Sequence, residues 1–268
     1  MISEELIQQY ERDGAVCIKG AIDPASAASV LANLDVLIDG DNDRWTTIRE
    51  GGFSDRHLWP TMPWMYDFCA KSALPEIVGR LMRSQAARLY FDHTFIRDAG
   101  TAQTTPWHQD RPYWPFLGKQ IASVWVALTA CKKASSSLQF VRGSHAAGKV
   151  YRPIPFGNDG GSSEFLGQNK SLDLMPDIDA APDDFELLCW DVVPGDVIVF
   201  GGEVIHGASD NAENMERRAA LSIRYVGDDV IWDPRPGTDP MVNDDMVSFE
   251  PGEPPHDDKW FPNVWSAG

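Results

Sequence analysis

The chain has 268 residues, 43% of them hydrophobic, and carries 40 acidic against 23 basic side chains, a formal net charge of −17. That charge argues against nucleic acid and anionic membrane surfaces as partners, and the length suits one large domain whose core needs neither a disulfide nor a structural metal. No run approaches the ~18 apolar residues of a membrane span.

The opening Met1–Tyr10 carries Glu4 and Glu5 in place of a basic-then-apolar leader. Four dispersed cysteines, Cys17, Cys69, Cys131 and Cys189, read as buried thiols of a reducing compartment, so a cytoplasmic protein is expected. Glu4–Asp13 sets Leu6, Ile7 and Tyr10 on a helix that Gly14 stops. Ala15–Ile18 reads as a short strand. Asp23 caps, and Pro24 starts, a helix over Ala25–Ile38. Residues 41–66 mix Gly, Pro, Trp and charge and read as an irregular loop, with Trp59, Trp64 and Met65 belonging to a lid or to the core. Pro75–Arg83 is a further helix. Strands follow: Arg88–Arg97, Ile121–Thr129, Leu138–Val141, Phe185–Trp190, Asp196–Phe200 and Arg217–Val226. Helices first and strands after predict a mainly β sandwich or barrel with flanking helices, not an alternating α/β fold. One domain is expected, with a helical part (about 1–85) packed on a β part (about 86–226), and then a Pro- and Asp-rich tail wrapping the surface.

The acidity is segmental. Residues 159–196 and residues 228–258 each hold ten acids and one base, leaving the remaining chain nearly neutral. Both segments are expected outside the functional site, with at least one at its mouth, where it would disfavour anionic substrates.

The segment Thr105-Pro106-Trp107-His108-Gln109-Asp110-Arg111-Pro112 contains an HxD pair. On extended backbone His108 and Asp110 point to one side and can grip one ion. A further histidine, His206, follows the strand Asp196–Phe200. Two histidines and a carboxylate can occupy one face of an octahedral iron(II) site and leave three positions open. Arg217–Val226 alternates: Arg217, Ala219, Leu221, Ile223 and Tyr225 share one face, and Arg218, Ala220, Ser222, Arg224 and Val226 the other. The first, more apolar face is expected to point into the barrel. Arg217 then either meets an anion there, as a guanidinium suits a carboxylate, or turns to the rim or to an acid such as Glu213.

Together these motifs resemble the phytanoyl-CoA dioxygenase family of iron(II)/2-oxoglutarate oxygenases. Thr105–Asp110 resembles its first metal motif, Ser123-Val124-Trp125-Val126-Ala127-Leu128 the following strand, and Arg142-Gly143-Ser144-His145 its Gly-Ser-His turn. Pro194-Gly195-Asp196 with His206-Gly207 resembles the second histidine's approach, and Arg217-Arg218-Ala219 the arginine segment. The resemblance covers about residues 5–226 and implies a double-stranded β-helix, a cupin-like jelly roll. It implies His108, Asp110 and His206 as iron ligands, Arg217 as the partner of the 2-oxoglutarate 5-carboxylate, and Trp125 in the co-substrate pocket. The implied reaction consumes 2-oxoglutarate and O2, releases succinate and CO2, and hydroxylates a C–H bond; desaturation or rearrangement remains open. The intact Asp110 disfavours halogenation, since related halogenases replace that carboxylate. Where the family often has a serine two residues after the second histidine, this chain has Ala208, which weakens the expected grip on 2-oxoglutarate.

His93 and Arg97, sharing a strand face with Leu89, Phe91 and Phe95, and Arg111, Tyr113 and Trp114, following the HxD pair, are the substrate-pocket candidates. Apart from Lys132-Lys133 the basic residues are scattered, which disfavours an acyl-CoA and favours a small neutral, zwitterionic or cationic metabolite. Two other readings compete: a metal-dependent jelly-roll isomerase or hydrolase without 2-oxoglutarate, and a non-catalytic metabolite-binding protein. The oligomeric state is left open.

Overall fold

The computed structural model describes residues 2–40, 48–49, 51–102, 104–133, 137–154, 171–209, 216–239 and 241–268. In chain order it forms α1 (Glu4–Asp13), β1 (Ala15–Ile18), α2 (Pro24–Asp39), β2 (Ile48–Arg49), β3 (Gly52–Arg56), α3 (Pro63–Lys71), α4 (Leu74–Leu81) and β4 (Ala86–Arg97). Next come β5 (Thr105–His108), β6 (Phe116–Leu117), β7 (Ile121–Ala127), β8 (Leu138–Val141) and β9 (Leu187–Cys189). The last are β10 (Val197–Gly201), β11 (His206–Ala208), β12 (Arg218–Val226), β13 (Ile231–Trp232) and β14 (Asn263–Ser266).

Local chemistry sets the first elements. Ser3 caps α1 by accepting from Leu6 N at 3.2 Å, with Glu4 and Glu5 in the first turn. Gly14 ends α1 at φ 81°, and its N–H donates to Tyr10 O. A Cβ at Gly14 would sit 2.5 Å from His145 Nδ1, so glycine is required there for space as well as for conformation. Asp23 caps α2 by accepting from Ala25 N.

Two antiparallel sheets make a jelly roll. The large one runs β1-β10-β7-β12-β4-β3-β2, with β14 also on β4; the small one runs β5-β11-β8-β9. The helices cover the outer face of the large sheet, where Val16, Val124, Val126, Val197, Val199, Leu221, Ile223 and Tyr225 join Ile7, Leu34, Met65 and Leu81 in one buried cluster. Its inner face carries Trp125, Ala127, Ile198, Phe200 and Ala220 against Leu138, Phe140 and Ala208 of the small sheet. Each such fully buried large side chain contributes about 1.5–3 kcal/mol.

Three sequence expectations change. Part of 41–66, expected as a loop, is regular: β3 pairs with β4, and Pro63 opens helix α3. Trp59 and Met65 are core, not lid, at 6% and 0% exposure. No side chain caps α3 at Met62, so Pro63 is its one local start signal, and burial of Met65, Phe68 and Cys69 supports the helix. The tail is not a surface wrap, because Val230, Trp232, Val242, Phe249 and Phe261 fill an aromatic cluster with Tyr90, Trp114 and Phe116. Their wide spacing among Asp, Pro and Gly hid the pattern. Of the cysteines, Cys69 and Cys131 are buried, but Cys17 and Cys189 only partly so; all are free thiols. No helix among the described residues is long and apolar enough to cross a membrane.

On the outer face of β4, fully buried Asp92 accepts from Leu58 N at 3.1 Å and Trp59 N at 2.8 Å, tying the segment before α3 to the sheet. Burial outweighs these bonds and pushes its carboxyl up to about 6. A folded value above the unfolded one favours the folded state at low pH, and the advantage fades as pH rises through about 6. Relative to Asp92→Asn, which does not titrate, the native protein should therefore lose about 2–3 kcal/mol between pH 4 and pH 7. Denaturant titrations of both proteins at the two pH values measure this; a constant gap would refute it.

Candidate metal centre

β5 and β11 pair so that His108 stands directly opposite His206. Opposed residues on antiparallel strands share a face, and the two rings lie 4.1 Å apart between centroids. Close strand approach is needed: a Cβ at Gly207 would meet Thr105 O at 3.0 Å and Trp107 Cδ2 at 3.2 Å, so glycine follows the histidine for steric reasons. The approach to His206 is held by Ser144 Oγ, which accepts from Ile205 N at 2.9 Å.

Asp110 arrives by a different route from the one its spacing suggests. β5 stops at His108, and Asp110 is helical at φ −75°, ψ −41°, entering a 3-10 turn over Arg111–Tyr113. The turn, fixed by Arg111 N donating to Gly202 O at 2.8 Å, swings the carboxylate under the histidine pair. From the opposite sheet Ser123 Oγ donates to Asp110 Oδ2 at 2.8 Å.

Each imidazole faces a backbone carbonyl through Nδ1, His108 to Pro106 O at 2.8 Å and His206 to Val204 O at 3.0 Å. An N–H donated there leaves the lone pair on Nε2. Both Nε2 atoms face Asp110 Oδ1, at 3.6 Å and 3.8 Å, and one ligand atom from each of the three buried residues lies within 4.8 Å of the others. Burial raises Asp110's carboxyl, but His108, then His206 and Arg224, outweigh it and hold it ionised. Burial, and then His108, push His206 down to about 3, so it is a neutral ligand at ordinary pH. Two imidazoles and one carboxylate converging in a buried space fit a divalent iron.

Arg217, expected inside the barrel, does not face the space between the sheets, whereas its neighbour Arg218 does. Arg217 precedes β12, is 35% exposed at its side chain, and pairs through Nη1 with Asp35 Oδ1 of α2 at 2.6 Å. Glu213 lies outside the described residues. Arg218 is 4% exposed, its guanidinium lies 5.5 Å from the ring centre of buried Trp125, and its Nε and Nη1 have no hydrogen-bond partner among the described residues. The two β12 faces are therefore exchanged relative to expectation. The apolar face packs on the helices, and the face with Arg218, Ala220, Ser222 and Arg224 looks between the sheets. Both faces of this sheet are covered, so the more polar one lines the site. Buried cationic nitrogens without partners fit a carboxylate ligand such as 2-oxoglutarate. Ala208 is 6% exposed in the apolar cluster containing Trp125 and Ala220, which gives that stretch no hydroxyl.

The substrate candidates separate. His93 pairs with Ser222 across β4 and β12, so it looks between the sheets; its Nε2 contacts Ser54 Oγ at 2.9 Å and its ring lies 3.9 Å from that of Phe95. Burial, then Arg224 and Arg56, hold His93 neutral. Arg97 is a buried clamp, donating to Ser209 O and Thr105 Oγ1 at 3.0 Å and 2.7 Å. Arg111 is paired with Glu203, and Tyr113 donates to Ile154 O at 2.7 Å with its ring centre 6.2 Å from that of His108. Trp114 is not at a mouth; at 3% exposure it packs on Tyr90 and Phe91. Leu89 leaves the His93 face because a bulge opposite Arg224 and Tyr225 turns it to the helix side. Ser123, Ser144, Arg218 and Arg224 were not singled out from sequence. For Ser123, Arg218 and Arg224 the signal was the polarity of one face of β7 and β12, which marks a site only once both faces are known to be covered; Ser144 lies in a 3-10 turn after β8 and had no such signal.

One acidic segment reaches the rim and the other does not. Asp179 Oδ1 accepts from Trp107 Nε1 at 2.8 Å on the outer face of the small sheet, where Trp107 packs with Val141, Ile178 and Ile205, away from His108. Asp239 donates its N–H to Tyr113 O at 2.6 Å and pairs with Arg56.

The chain is similar to a probable phytanoyl-CoA dioxygenase of Caenorhabditis elegans, 26% identical over 174 residues, which are 63% of this chain and 52% of that protein. It thus spans about half of that relative's length. Its fold is similar to that of SnoN, a non-heme alpha ketoglutarate dependent epimerase from nogalamycin biosynthesis, with a TM-score of 0.73, 19% identity, and 99% and 96% of the two chains covered. EvdO2 from Micromonospora carbonacea var. aurantiaca, solved in complex with 2-oxoglutarate, gives a TM-score of 0.68, 18% identity, and 89% and 98% coverage. The phytanoyl-CoA dioxygenase (PhyH) model matches residues 10–219, and the chain belongs to that family.

Proposed function

We propose that this protein is an iron(II)/2-oxoglutarate-dependent dioxygenase that hydroxylates an unactivated C–H bond of a small metabolite and releases succinate and CO2. The observation that carries the reading is a buried two-histidine, one-carboxylate set enclosed by the same pair of sheets as a buried guanidinium with two nitrogens that have no hydrogen-bond partner among the described residues. When bound, iron(II) with 2-oxoglutarate and O2 supplies the oxidant for C–H chemistry. His108 and His206 hold the iron through Nε2, and Asp110 through Oδ1. Arg218 receives the far carboxylate of 2-oxoglutarate, with the Trp125 ring fixing the guanidinium beneath it. Trp125, Phe140, Phe200 and Ala220 form a water-excluding wall that strengthens that ion pair.

Substrate enters where His93, Phe95 and Tyr113 keep part of their surface open. Asp239 borders this region, and Lys132-Lys133 are exposed with Lys133 N bound to Asp191. These features support a neutral, zwitterionic or cationic metabolite over an acyl-CoA, whose phosphates need clustered cations. Purified protein with Fe(II), ascorbate and O2 should convert 2-oxoglutarate to succinate, and a metabolite panel read by mass spectrometry should yield a product heavier by one oxygen. Failure to bind 2-oxoglutarate, with no succinate formed for any panel member, would overturn the reading.

A further inference from the structure

A second buried guanidinium stands on the same β12 face as Arg218. Arg224 is 6% exposed and lies over two aromatic rings, 4.7 Å from the centre of Phe91 and 5.9 Å from that of Trp114. Its Nη1 donates to Ser222 O at 2.9 Å, which fixes the fork along its own strand. Its Nη2 faces Asp110 Oδ2 at 3.8 Å, and its Nε has no hydrogen-bond partner among the described residues.

The two oxygens of Asp110 thus have different surroundings. Oδ1 faces both histidine Nε2 atoms, while Oδ2 accepts from Ser123 and faces Arg224. A carboxylate with neither oxygen restrained can turn and give both to one ion. Here a hydroxyl and a cation, both on the large sheet, hold one oxygen away from the histidines. Metal-ligand carboxylates are commonly oriented by such outer contacts, but a cation does more than a neutral donor, since it also draws charge from the carboxylate.

We infer that Arg224 is a positioning residue that keeps Asp110 a one-oxygen ligand, so that three coordination positions stay open for a chelating 2-oxo acid and O2. This rests on reading His108, Asp110 and His206 as the metal set. A guanidinium serves better than an ammonium at this place, because a flat group can lie against Phe91 and Trp114 while its edge faces Asp110.

Co(II) binding, followed anaerobically by visible absorption and then by titration with 2-oxoglutarate, tests it without turnover. Arg224→Met preserves an apolar filler over the two rings, so a purely packing role would leave both readouts unchanged. The expected result is retained Co(II), a d–d spectrum shifted toward higher coordination number, and 2-oxoglutarate binding weakened by about tenfold or more. Arg224→Lys should recover part of that loss through its charge. Ser123→Ala, which removes the other donor to Oδ2, should shift the spectrum in the same direction and serves if Arg224→Met does not fold. Unchanged spectrum and 2-oxoglutarate affinity in a folded variant would overturn the inference. Failure of the native protein to bind Co(II) would instead overturn the metal set itself.

Discussion

Replacing Arg218 with alanine is expected to weaken 2-oxoglutarate binding by about 100-fold or more, while Arg217→Ala changes it less than about twofold. The two residues are neighbours in sequence but stand on opposite sides of a covered sheet. Arg217 is partly exposed and paired with Asp35 on α2, so its loss removes a surface ion pair worth at most about 1 kcal/mol of stability and no ligand contact. Arg218 is buried with Nε and Nη1 unpartnered among the described residues. Two charge-assisted hydrogen bonds to a carboxylate, at about 1.5–3 kcal/mol each, account for the larger figure. Anaerobic titration of the metal-loaded variants with 2-oxoglutarate separates them. Equal losses, or a loss confined to Arg217→Ala, would return the site to the other face.

Asp110→Ala should abolish metal-dependent succinate formation and also destabilise the metal-free protein by about 3 kcal/mol. The first effect follows from losing one of three ligands. The second follows from Arg224, which would remain buried without its counter-charge. Asp110's folded value lies below its unfolded one, so its contribution to stability is present above about pH 4 and fades only in more acidic solution. The expected destabilisation should therefore hold from pH 6 to pH 8. Denaturant unfolding of metal-free protein checks it, and adding Arg224→Met to Asp110→Ala should recover part of the loss. If Asp110→Ala unfolds at the same midpoint as the native protein, the buried pair carries no stability.

Which parts of this were legible in the sequence has a physical explanation. Helices α1 and α2 carry their own caps at Ser3, Gly14 and Asp23, so local chemistry set their limits. The metal set was legible because ligand chemistry restricts residue type, even though the extended HxD argument was wrong in detail: Asp110 reaches the histidines through a turn. Arg217 was expected on the inner face because alternation shows that β12 has two faces but not which face meets the helices. The usual rule, apolar face inward, fails for a sheet covered on both sides, where helix packing claims the apolar face and the site claims the polar one. Helix α3 and the tail were missed because their stability comes from distant partners: Met65 and Phe68 pack in the helix-side cluster, and Phe261 packs on Tyr90 and Phe116.

That exchange of faces also bears on how such an enzyme can change. Along β12 and β4, Leu221, Ile223 and Ile96 anchor the helices, while Ser222, Arg224 and His93 line the space between the sheets. Folding strength and chemical preference are thus assigned to alternate positions of the same strands. A lineage or a directed-evolution library can explore new substrates at positions such as Ser222 and His93, leaving Arg218 and Arg224 in place, while the intervening residues keep the scaffold intact, and a polar residue introduced on the helix side would cost the fold before it altered the reaction.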